Sequence, residues 1–174
     1  MLLIFMAATL LTWQRRACAC WFLQEARTFH SYARTIQSWV KIKGNNPLTE
    51  NYSVLRPEVL SCHNNTVIAQ PDLGFLNTLF SANAIVTAGQ AVSHCVKNSI
   101  NDLLDKIITI NPSLVRKVYI LTDCMSAVTV PDGCGGHTFD FTEQAEQAEQ
   151  AQQHFANAGM YLVQSINPLC DWSG

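Results

Sequence analysis

The sequence predicts an α/β fold: a parallel sheet with helices on both faces, in a three-layer, Rossmann-like arrangement. Three observations lead there. Helical and strand-like patterns alternate along the chain, which implies parallel strands joined by helical crossovers. The runs AIVT (84–87) and KVYILT (117–122) are almost wholly apolar, as strands covered on both faces are. Finally, Lys43, the stretch Gly89–Cys95 and Asp123 all fall at or just past predicted strand ends. Open parallel sheets bind their ligands at that edge.

The elements follow in order. From Leu23 to Ser38, apolar residues recur at three- and four-residue steps, which predicts a helix. Trp39–Lys43 alternates apolar and charged residues, as a short strand does. Gly44-Asn45-Asn46-Pro47 breaks it, and the polar stretch from Leu48 to Pro71 reads as a long loop. Asp72 caps a helix running to about Ala82, and Ala84–Thr87 is a buried strand. His94–Ile108 is a helix whose stripe is Val96, Ile100, Leu103, Leu104 and Ile107. Lys117–Thr122 is a second buried strand, and Asp123–His137 is a Gly-rich loop. Phe141–Asn157 is a helix ended by Gly159, and Met160–Gln164 is the last strand. Within that helix, EQAEQAEQAQQ (143–153) repeats every three residues. Such a period fits a solvated helix surface and not a coiled coil.

The chain has 174 residues, 48% of them hydrophobic and 14% charged, which suits one domain with a real core. A net charge of -2 with no basic patch argues against nucleic acid as a partner. Seven cysteines (18, 20, 62, 95, 124, 134 and 170) are irregularly spaced, with no CxxC pair and no zinc-type ligand pattern. Free thiols in a reducing cytoplasm are the expectation. The triplets at Asn51 and Asn64 then match a glycosylation signal by chance. MLLIFMAATLLTW, at thirteen residues, is short for a membrane span. Arg15 and Arg16 follow it, whereas a secretory signal places its positive charge first.

Cys95 carries the chemistry. It falls in the first turn of a helix, where unpaired N–H groups and the helix dipole favour a thiolate. The preceding turn, AGQAVSH, offers N–H groups to a developing oxyanion. Lys43, from another strand end, would stabilise the thiolate further. Together these outline a covalent acyl-transfer site. The plainer alternative is a small apolar residue buried at a strand-to-helix turn.

AGQAVSHCVKNSINDL resembles the nucleophile motif of the isochorismatase-like cysteine hydrolases, a superfamily that includes the nicotinamidases. KGNNPLTENYSVLRPEV (43–59) resembles the segment with that family's active-site lysine. KVYILTDCMSAV (117–128) and FANAGMYLVQS (155–165) resemble its later strands, so the likeness runs from Leu23 to Ser165. The resemblance implies Cys95 as the nucleophile that forms a thioester with a small amide, nicotinamide favoured. It implies Lys43 as the thiolate-stabilising lysine and the N–H groups of Ala91 and Cys95 as the oxyanion hole. It also implies a cis peptide at Gln90–Ala91, and Tyr52, His94 and Asp123 as candidates for the substrate pocket. Homo-oligomers are compatible with it.

The family also uses an aspartate at the end of its first strand, and often a divalent metal such as zinc held by Asp and His ligands. Residues 1–22 hold no Asp and no His. The expectation is therefore an unmatched apolar segment at 1–22 and an incomplete hydrolase domain at 23–174. That domain would lack the first strand, the catalytic aspartate and the metal site. Losing the proton shuttle should slow thioester formation by about two to four orders of magnitude. The competing expectations are a non-catalytic binding or oligomerisation module on the same fold, and a membrane-attached protein anchored by residues 1–13.

Overall fold

The computed structural model describes residues 2–7, 41, 43–44, 46–127, 130–131, 137–138 and 141–172. The helix expected at Leu23–Ser38 lies outside the described residues. So does most of the expected strand at 39–43, whose described members Lys41 and Lys43 are in no strand.

A four-stranded parallel sheet forms the centre, in the order β1 (Leu2–Ala7), β2 (Ala84–Gln90), β3 (Val118–Ser126) and β6 (Tyr161–Val163). Among the described residues, three α-helices accompany it: α1 (Leu73–Ser81), α2 (Cys95–Ile110) and α3 (Phe141–Asn157). A small antiparallel pair, β4 (Val130–Pro131) with β5 (His137–Thr138), lies inside the stretch read as a Gly-rich loop. The chain is thus α/β with a parallel sheet.

Each helix has a local cause. Asp72 caps α1 by accepting the Phe75 N–H at 2.8 Å. The stripe Val96, Ile100, Leu103, Leu104 and Ile107 drives α2 into the core, where all five are buried. Gly159, at φ +99°, turns the chain after α3, a conformation that suits glycine. Buried residues of all three helices meet Ile85, Val118 and Ile120 of the sheet in one cluster. Alternate strand residues Val86, Ala88, Leu121 and Val163 form a second cluster on the opposite face. There Tyr119 stacks on Tyr161 with centroids 5.0 Å apart, and Trp172 leans on Tyr119 at 5.8 Å.

The first strand corrects an expectation. It is present: Leu2–Ala7 pairs in parallel with β2, from Leu2 against Ala84 to Ala7 against Gly89. Leu2–Ala7 and the chain from Lys43 onward also belong to one compact unit. The physical reason is simple. A parallel strand needs a continuous apolar run, which LLIFMA supplies, and not the carboxylate that follows such a strand in an active hydrolase. No helix among the described residues is long and apolar enough to cross a membrane.

β3 is longer than its apolar run. β2 advances only from Thr87 to Gly89 while β3 advances from Ile120 to Met125, which makes a bulge. Leu121–Cys124 occupy it, and pairing resumes at Met125 and Ser126.

Candidate active site

The site is assembled where β2 ends. After Gly89, at φ +121°, the chain turns through Gln90 and Ala91, and the peptide between them is cis. The Val92 N–H donates to Ser126 O at the end of β3 (3.0 Å), so the bulged strand anchors the turn. The His94 and Val96 N–H groups both donate to Ala91 O, at 3.0 and 3.1 Å.

Cys95 opens α2 and is 7% exposed. The Lys43 ammonium donates to Cys95 Sγ at 3.1 Å across 52 residues of sequence. The positive end of the helix dipole and a lysine therefore converge on one sulfur.

Lys43 is delivered by the long loop, which is organised by side chains and not by strands. Asn46 Oδ1 accepts the Leu48 N–H at 2.9 Å, and the Asn46 carboxamide donates to Ile68 O. The Val59 N–H donates to Thr49 Oγ1 and the Glu58 N–H to Glu50 O, each at 2.9 Å. Gly44, next to Lys43, has φ +66°, and a Cβ there would overlap the Asn51 carboxamide. Gly44→Ala should therefore cost about 1 kcal/mol or more and displace Lys43. Urea unfolding would measure the first effect and a slower alkylation of Cys95 the second.

The remaining candidates are placed differently. His94 is exposed at the N-cap position of α2 but makes no capping bond. Its Nδ1 lies 2.8 Å from the hydroxyl of the buried Ser93. Tyr52 is half-exposed on the Lys43 loop, beside the buried Ser53. Asp123 sits in the β3 bulge and is committed elsewhere. Its carboxylate accepts the Ser165 N–H at 2.9 and 3.0 Å and the Ser165 hydroxyl at 2.6 Å, which ties β3 to the segment after β6. These bonds, the hydroxyl's first, hold the Asp123 pKa below its ordinary value of 3.8. A depressed carboxylate stabilises the fold above its unfolded pKa, and that contribution is lost as pH falls through the lower folded value. The stability gap between wild type and Asp123→Asn should thus be full at about pH 6 and shrink by about pH 3. Urea titration at the two pH values checks this.

Sequence reasoning missed Ser93, Ser99 and Ser126. Ser99 had a visible signal: it lies one helical turn after Cys95, on the same face.

No group of three or more His, Cys, Asp or Glu side chains among the described residues could hold a metal ion. Compared with known proteins, the chain matches no family model and no curated protein.

Proposed function

We propose that the chain carries a cysteine-nucleophile site for a small amide, with nicotinamide the favoured substrate. The observation that carries this reading is the 3.1 Å contact of Lys43 Nζ with Cys95 Sγ at the first residue of α2. The sulfur attacks the amide carbonyl carbon, and the N–H groups of Ala91 and Cys95 receive the developing oxyanion. The C–N bond then breaks, leaving a thioester on Cys95, and the amine departs with a proton. Water cleaves the thioester to the acid.

The proton step limits turnover. β1 ends at Ala7, and Ala8 and Thr9 follow, so the strand end beside the Cys95 turn has no carboxylate. A second reading draws on the same observation: a non-catalytic binding or oligomerisation module on this fold. Intact-mass analysis after incubation with nicotinamide separates the two. A nicotinoyl adduct on Cys95, absent from Cys95→Ser, supports the hydrolase. Binding of nicotinamide with no adduct and no ammonia supports the module.

A further inference from the structure

We propose that Ser99 is a positioning residue: its hydroxyl holds the Lys43 loop against α2 and so sets the Lys43–Cys95 contact. The inference rests on the reading of Cys95 as a nucleophile and deepens it. Ser99 is 1% exposed. Its hydroxyl donates to the carbonyl of Cys95 at 2.7 Å. Mid-helix serines make such back-bonds routinely, so this bond alone means little. The second bond is different. Ser99 Oγ also accepts the N–H of Val54 at 3.1 Å, crossing from α2 to the loop. An amide N–H only donates, so the serine proton must lie on Cys95 O, and the hydroxyl orientation is fixed.

The neighbouring bonds turn this contact into a strap. Ser53 Oγ accepts the Leu55 N–H at 3.0 Å, Leu55 is 4% exposed in the main core, and its carbonyl accepts the Asp72 N–H at 3.2 Å. Arg56 pairs with Asp102 of α2 at 3.5 Å, but its side chain is half-exposed and such pairs hold weakly. Ser99 is therefore the buried polar anchor of the strap on α2. Thr49 and Glu50 are bonded to Val59 and Glu58, so the loop on both sides of the strap is cross-braced. A lysine reaches its target on a flexible four-carbon stem, so its placement depends on the backbone that carries it. Releasing Val54 from Ser99 frees that backbone.

ortho-Phthalaldehyde tests the geometry without a substrate, because it condenses with an amine and a thiol in contact to give a fluorescent isoindole. Wild type should give an isoindole linking Lys43 to Cys95, located by peptide mapping. Ser99→Ala should lower its yield about fivefold or more, and Ser99→Thr, which keeps the hydroxyl, should restore it. A wild-type yield in a natively folded Ser99→Ala overturns the proposal, as does a wild-type protein that gives no Lys43–Cys95 isoindole. Should Ser99→Ala fail to fold, amide exchange in wild type still decides: a protected Val54 N–H supports the strap, and a rapidly exchanging one overturns it. Intact linking without any acyl adduct would count against the hydrolase reading and leave the strap standing.

Discussion

On the proposed hydrolase reading, Ala7→Asp should raise amide hydrolysis by about two orders of magnitude or more. β1 runs parallel to β2, and its last residue, Ala7, pairs with Gly89, just before the turn that leads to Cys95. Ala7→Asp adds a carboxylate at that register position, at the end of the strand paired with β2. It can take the thiol proton and return it to the leaving amine. Wild type has Ala7-Ala8-Thr9 there and no such group. Ammonia release from nicotinamide measures the gain, and Ala7→Asn, which cannot accept the proton as a base, should show none. A folded Ala7→Asp variant that releases ammonia no faster than wild type would count against a missing carboxylate as the limit on the proposed reaction.

Lys43→Met slows alkylation of Cys95 by about tenfold or more. The Lys43 ammonium donates to Cys95 Sγ at 3.1 Å, and a hydrogen bond from a charged donor is worth about 1.5 kcal/mol or more, about tenfold in rate. The comparison requires unchanged folding, and it is expected to be unchanged because Lys43 is partly exposed on a loop held by other bonds. Second-order rates with iodoacetamide at neutral pH measure the effect. Equal rates in the two proteins would mean that the 3.1 Å contact does not activate the sulfur.

Much of this architecture is legible in the residues. The apolar stripe of α2, the Asp72 cap, the bounds of α3 and the run Val118–Leu121 follow from local rules that tertiary packing did not override. The first strand was misjudged because a functional residue served as the marker of a structural element. LLIFMA needed only its hydrophobicity to join the sheet. Asp123 has a setting that the sequence does not announce. It follows the apolar part of β3, but the bulge carries it away from β2 and into the Ser165 tether, and no local pattern announces a bulge of that size. The Lys43–Cys95 pair spans 52 residues. Spacing alone offered it only as one possibility. The contact itself is a product of the strap and the loop bonds, which are side-chain features that periodicity does not register.

Competitive labelling of the cysteines among the described residues tests the central claim most directly. Cys95 is buried, Cys62 is half-buried, and Cys124 and Cys170 are exposed. Access alone would make Cys95 the slowest of the four to react. If the dipole of α2 and Lys43 hold it as a nucleophile, limiting iodoacetamide followed by peptide mapping should find Cys95 carboxamidomethylated first. Faster labelling of Cys124 and Cys170, with Cys95 last, would contradict the account and leave Cys95 an ordinary buried thiol.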